Sequence, residues 1–195
     1  SLDLSVRGIA LTDSVGDILN RLSPGNTAQP VAYFEPGPAA AKNVLQAFIR
    51  NKLPRYSKNR NQPQTDDVSH MSKYLHFGQI SPVYVVKTVL DTADIQHEER
   101  ETFIEELVVR RELAHNFTHF TANYDTFECL PEWAQTTLLD HAADRRRHSY
   151  GIETLEQAVT HDVYWNAAMV EMTYTGYMHN YMRMYWGKKI IEWSE

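Results

Sequence analysis

The chain has 195 residues, 43% of them hydrophobic and 23% charged, with a net charge of −6 and a single cysteine. That length is ample for a core in one domain or two small ones, and the composition is that of an ordinary globular protein. One cysteine, Cys129, excludes an internal disulfide, and the lack of any run of eighteen apolar residues excludes a membrane-spanning helix.

In chain order, residues 1–12 read as an extended piece without the basic start and apolar centre of a secretory signal. A short helix is predicted from Ser14 to Leu22, N-capped by Asp13 or Ser14 and stopped by Pro24-Gly25. The stretch 23–38, rich in proline and glycine, reads as linker. A helix follows from Ala39 to Leu53 with Val44, Leu45, Phe48 and Ile49 on one stripe, and Pro54 ends it. Residues 56–67 are polar and aperiodic, hence a long loop, and long ordered loops are more often functional than most. Ser69-His-Met-Ser72 then offers hydroxyls and free amides that either cap a helix or cradle a phosphate.

Ser81-Pro82 opens a helix reaching Thr92 through Val83, Val85, Val86 and Leu90. The longest helix is expected over 98–120, with Phe103, Leu107, Val108, Leu113 and Phe117 on its apolar side. On it, Glu106 and Arg110 form an i, i+4 pair in the stabilising orientation. Glu112, His115 and His119 stand at helical spacings, but without a cysteine or further ligand nearby no metal is expected there. Pro131 starts a helix through Arg147 in which Trp133 reads as core or anchor, and a short helix near 153–159 follows. No strand pattern is convincing, so the fold is expected to be all-α. The negative net charge argues mildly against nucleic acid as a partner, yet basic residues gather at 50–60, 110–111, 145–147 and 183–189, four clusters that a fold can bring to one face.

The last quarter, 160–193, holds three of the four tryptophans, five of the eleven tyrosines and five of the six methionines, so the chain is organised around it. Two helical patterns there join near Gly176. Trp186 and Trp193, seven apart, share a face, and Trp165, Met169 and Met172 mark the side that meets it. Such a layer is ordinarily core. Beside a redox cofactor, the same indoles become stepping stones for an electron.

The runs THDVYWNAAMVEM and YMRMYWGKKIIEW, with EELVVRRELAHNF at 105–117 and YLHFGQIS at 74–81, resemble the signature of class II cyclobutane pyrimidine dimer photolyases. The resemblance implies an all-α, multi-helix FAD-binding catalytic domain over 39–195. An N-terminal α/β antenna domain and the family's last helices would lie outside the chain, and 1–38 would lead into the catalytic part. It implies light-driven repair in which FADH⁻ passes an electron to a flipped-out dimer in double-stranded DNA, by a monomer inside the cell: cytoplasmic in a prokaryote, nuclear or organellar in a eukaryote.

By the same resemblance, Trp186, Trp165 and Trp193 form the electron-transfer chain from the flavin outward, and Glu106 hydrogen-bonds the dimer. Tyr56, Ser69, Met71, Ser72 and Arg183 would hold FAD, Arg183 by pairing with an acid beside it. Arg60, Asn61, Arg110, Met184, Tyr185 and Tyr181 would meet DNA or lesion. The sequence departs from the family at Lys73, where proline is usual, and at Met169, Tyr177 and Asn180, where Gln, Lys and Gly are usual. Two other readings stay open: a cryptochrome-like photoreceptor without repair activity, which would keep the tryptophans and lose the lesion contacts, and a helical interaction module without cofactor.

Overall fold

A computed structural model describes residues 14–22 and 31–194. The chain divides into two compact units, 1–31 and 32–195. In the first, helix α1 (Val15–Leu22) is capped by Ser14, whose hydroxyl accepts from the Asp17 amide at 3.1 Å and donates to the Asp17 carboxylate at 2.6 Å. One orphan amide of the first turn is thereby satisfied, and the hydroxyl is held in place by the carboxylate. The extended piece expected at 1–12, the alternative cap Asp13 and the stop at Pro24-Gly25 lie outside the described residues.

The second unit is helical, with no strand among its described residues. Helix α2 (Pro38–Asn51) starts at a proline, where a missing N–H costs nothing. It presents Ala41, Leu45, Phe48 and Ile49 to the core, with Val44 packed beside them. Pro54 lies in a 3-10 turn, Leu53–Arg55, that leads directly into α3 (Tyr56–Asn59). The stretch 56–67, expected to be loop, is thus a helical turn followed by a 3-10 turn at Pro63–Thr65.

Helices α4 (Ser72–His76) and α5 (Pro82–Leu90), with the residues just before each, add Met71, Tyr74, Ile80, Val85 and Val89 to the same core. Each such fully buried Leu, Ile, Val or Phe contributes roughly 1.5–3 kcal/mol. Val83 is 66% exposed and Leu90 49% exposed, so α5 buries the Val85–Val89 edge instead of the wider set the sequence offered.

Residues 97–120 are one continuous helix with an irregular middle: α6 (His97–Ile104), a π-helical turn (Glu105–Arg110) and α7 (Arg111–Phe120). Phe103 and Leu107 enter the core, whereas Leu113 and Phe117 on α7 are about half exposed. Helix α8 (Glu132–Asp140) ends seven residues short of the expected Arg147, in turns at 141–144. Trp133 is 74% exposed and anchors nothing among the described residues, contrary to its reading as core.

A short helix α9 (Ile152–Glu156) precedes α10 (Val163–Thr175) and α11 (Asn180–Trp193). Gly176 ends α10 in the left-handed conformation, φ 68°, which a glycine adopts without the strain of a side chain. His179 then caps α11, its Nδ1 accepting from the Tyr181 amide at 3.1 Å. Among the described residues no helix is long and apolar enough to cross a membrane.

Candidate functional site

Two side chains far apart in sequence define the centre of the unit. The Arg60 guanidinium, at the end of α3, donates to the Glu106 carboxylate on the π turn. Glu106 lines three concavities, and Arg60 lines two of them. A cavity of about 470 Å³ is walled by Tyr56, Leu75, Phe103 and Leu107 with Ser69, Ser72, Arg111 and His115. A second, of about 240 Å³, shares Tyr56, Ser69, Met71, Ser72 and Glu106 and adds Arg60, Asn61, His70, Tyr177, Asn180 and Arg183. A third, outer cleft is lined by Arg60, Glu105, Glu106 and Val109.

The π turn places Glu106. Its i→i+5 hydrogen bonding inserts an extra residue into the helix, so that Leu107 keeps its place in the core while Glu106 faces the cavities. The same geometry overturns the expected Glu106–Arg110 pair. Residues five apart now lie over one another, and Arg110 Nε instead contacts Glu105 Oε1 at 3.2 Å. Arg110 lines none of the three concavities.

Two buried acids hold α3. Asp67, 3% exposed, receives Arg55 Nε at 2.6 Å, Arg55 Nη2 at 2.8 Å and Asn59 Nδ2 at 2.6 Å. The Arg55 hydrogen bond outweighs burial and keeps its carboxyl below the usual range. Glu99 accepts from both the amide and the hydroxyl of Ser57, satisfying the first turn of α3 from the neighbouring helix. Tyr56 is held by rings: Phe48 and Phe103 each meet it edge-on, both at 5.6 Å. Burial raises its phenol pKa, while Arg60 pulls it down.

Behind the smaller cavity lies a crowded titratable cluster. His70, in the left-handed region at φ 55°, contacts Asp66 Oδ1 through Nε2 at 2.7 Å, and its buried Nδ1 has no protein partner. Lys73 Nζ donates to the His70 carbonyl at 2.9 Å and sits 3.3 Å above the Phe34 ring. Burial lowers its pKa to about 8, against the attraction of Asp66. Burial likewise lowers His179, consistent with a neutral ring whose Nδ1 accepts a hydrogen bond.

The tryptophans form a separate layer. Trp165, 2% exposed, stacks on Trp186 at 4.5 Å and 19° between planes, and meets Trp193 at 5.5 Å and 58°. The spatial order is therefore Trp186, Trp165, Trp193. Beyond Trp193, the Tyr150 ring lies 5.6 Å away and the His161 ring 5.3 Å. Arg146 donates to the Ile191 and Glu192 carbonyls at the end of α11, so one of the four basic clusters serves as a helix cap. From the others, Arg60, Arg111 and Arg183 reach the cavities at Glu106, whereas Arg50 lines a different one.

Of the residues singled out in the sequence, Tyr56, Arg60, Asn61, Ser69, Met71, Ser72, Glu106 and Arg183 converge on these cavities. Met184, Tyr185 and Tyr181 line none of the three. Met184 and Tyr181 are about half exposed, and the Tyr185 hydroxyl donates to the Asp162 carboxylate. Arg183 pairs with no acid among the described residues; its Nε donates to the Met178 carbonyl at 3.2 Å. No group of three metal-ligating side chains gathers among the described residues, and His115 instead faces the larger cavity. Arg111 was marked only as part of the basic cluster at 110–111, and Glu99 and Asp67 were not singled out from the sequence. For Arg111 the signals were that cluster and its spacing of four from His115 on one helix face; for Glu99 and Asp67 there was none.

The all-helical unit has the fold of the photolyases, as its likeness to a solved structure shows. A crystal structure of a bacterial class III photolyase from Agrobacterium tumefaciens matches 81% of this chain and 31% of its own, with a TM-score of 0.63. At 23% identity that likeness establishes the fold alone. The chain is 49% identical over 164 residues to a deoxyribodipyrimidine photo-lyase of Methanothermobacter thermautotrophicus, covering 84% of this chain and 36% of that protein. It is 42% identical over 173 residues to the one from Potorous tridactylus, covering 89% and 32%, and 40% identical over 176 residues to the one from Arabidopsis thaliana, covering 88% and 36%. No family model matches the chain. By sequence the chain belongs with the deoxyribodipyrimidine photo-lyases, of whose length it spans about a third.

Proposed function

We propose that the protein repairs cyclobutane pyrimidine dimers in double-stranded DNA by light, with residues 39–195 forming part of its FAD-binding catalytic region. The observation that carries this reading is convergence. Tyr56, Ser69, Met71 and Ser72, assigned by resemblance to the flavin, share adjoining cavities with Arg60, Asn61 and Glu106, assigned to DNA and lesion. A photoreceptor would have no need to keep that second set.

The residues present fit a flavin dinucleotide. The larger cavity pairs an apolar wall, Leu75, Phe103 and Leu107, with the Ser69 and Ser72 hydroxyls and the Arg111 guanidinium. In the adjoining one, the buried Nδ1 of His70 has no partner within the protein. When bound, reduced FAD supplies the photoexcited electron that opens the dimer and is then regained. The chain's own residues do the rest. Glu106 holds the edge of the extruded base, Arg60 and Asn61 meet the strand beside it, and Arg183 and Tyr56 orient the cofactor. Extrusion is cheaper for a damaged, poorly stacked base. Trp193, Trp165 and Trp186 carry an electron inward along their stack.

The test combines absorption and repair in the flavin-loaded protein. Blue light with a reductant should bleach the flavin bands, and thymine absorbance should recover on an irradiated oligothymidine. Trp186→Phe should block photoreduction while sparing repair by prereduced enzyme. Glu106→Ala should lower the repair yield with flavin still bound. Flavin without repair would transfer the reading to the photoreceptor class, and the absence of flavin would reduce the indole layer to core.

A further inference from the structure

Trp165 is fixed twice over. Its backbone amide donates to Asp162 Oδ1 at 2.8 Å, and its indole Nε1 donates to the Leu155 carbonyl at 3.1 Å. Trp186, its stacking partner, has no such anchor, for its buried Nε1 makes no hydrogen bond. Its placement over Trp165 must come from the backbone that carries it. The residue immediately before it, Tyr185, donates its hydroxyl to Asp162 Oδ2. Asp162 therefore spends one oxygen on the first-turn amides of α10, Tyr164 at 2.9 Å and Trp165 at 2.8 Å, and the other on α11.

We propose that Asp162 and Tyr185 are positioning residues for the indole stack: through one carboxylate, the start of α10 and the middle of α11 are locked so that Trp186 overlaps Trp165. Neither lines any of the three concavities. The carboxylate joins the helix carrying one indole to the neighbour of the other, and it is the side-chain hydrogen bond that links those two elements. Thr160 and Asn166 stiffen the same corner, with Thr160 Oγ1 donating to Asn166 Oδ1 at 2.9 Å and Asn166 Nδ2 to the Thr160 carbonyl at 2.8 Å. Lys189 covers the outer side, its Nζ 5.6 Å from the Tyr185 ring and 5.1 Å from the Trp193 ring. Electron transfer between rings falls off exponentially with their separation, so a slipped stack slows the relay even with every indole present. That consequence rests on the relay proposed above; the positioning itself does not.

The two are separated by experiment. Asp162→Ser leaves all rings in place and keeps a helix-capping oxygen, but is too short to reach Tyr185. Its far-ultraviolet circular dichroism should lose the exciton couplet of the stacked pair, defined as the signal that disappears in Trp186→Phe, while the helical bands persist. Tyr185→Phe should lose it too, and Asp162→Asn, whose amide still reaches the phenol oxygen, should restore it. A full couplet in Asp162→Ser or Tyr185→Phe overturns the proposal. If one of these fails to fold, the other reads the same quantity. In the flavin-loaded protein, couplet loss with slowed photoreduction supports both positioning and relay. Couplet loss with unchanged photoreduction keeps the positioning role and overturns the relay.

Discussion

Arg60 and Glu106, 46 residues apart, are joined by an ion pair, and Glu106 lines all three concavities. Each has about a third of its side chain exposed, so solvent weakens their attraction without abolishing it. A double-mutant cycle of Arg60→Ala and Glu106→Ala, read as urea stability without DNA, should give a coupling at the low end of the ~0.5–3 kcal/mol range for residues in contact. Zero coupling would mean that the pair does not form in solution. With DNA present, Arg60→Ala should lower the magnitude of the salt slope of log K by about 1, as for one lost phosphate contact.

Arg110 makes a different forecast. Its side chain is 64% exposed and its partner Glu105 43% exposed, so the contact is a surface ion pair. Arg110→Ala should change stability by less than about 0.5 kcal/mol. Lesion repair that depends strongly on Arg110 would show that bound DNA draws it inward from where it stands here.

Phe48 is 1% exposed and meets both Phe103, at 4.9 Å, and Tyr56, at 5.6 Å. Phe48→Ala should destabilise by about 3–5 kcal/mol through lost burial and the cavity left behind. Because Tyr56 leans on that ring, cofactor affinity should fall with stability. A loss under about 1 kcal/mol in denaturant melts would show that the triangle of rings is not tightly packed.

Lys73 should titrate near 8, its burial disfavouring the charged form. The sign follows from proton counting. Between about 8 and the ordinary lysine value of ~10.4, the unfolded chain binds the proton and the folded one does not, so stability rises with pH across that window. Below it the cost of burying the charge is present in full. Carbon-13 dimethylation followed by NMR titration measures the value directly, and a reading near 10 would place the amine in water.

Much of the fold follows from sequence alone, because helices are encoded locally. Leu45, Phe48 and Ile49 mark α2 by their spacing, Pro82 marks the start of α5, and Gly176 separates α10 from α11. The Trp165 contact with both Trp186 and Trp193 was also visible, since two residues seven apart on a helix must share a face.

The tertiary structure decided what no local pattern contains. The π turn at Glu105–Arg110 looks like plain helix in sequence, and only core packing of Phe103 and Leu107 shows that a residue is accommodated out of phase, sending Glu106 to Arg60 rather than to Arg110. The polar stretch at 56–67 reads as loop because the acids that hold it are beyond local periodicity: Glu99 comes 42 residues after Ser57, and Asp67 closes back onto Arg55 and Asn59. Tyr185 illustrates the same limit. Its identity placed it beside the lesion residues, but its direction was fixed by Asp162 on another helix, a partner that periodicity cannot name. Sequence thus determined which residues become helical and which faces are apolar, because hydrogen bonds and side-chain periodicity act over one or two turns. Which polar groups meet depended on how those helices pack, and that was decided by the three-dimensional closure of the core.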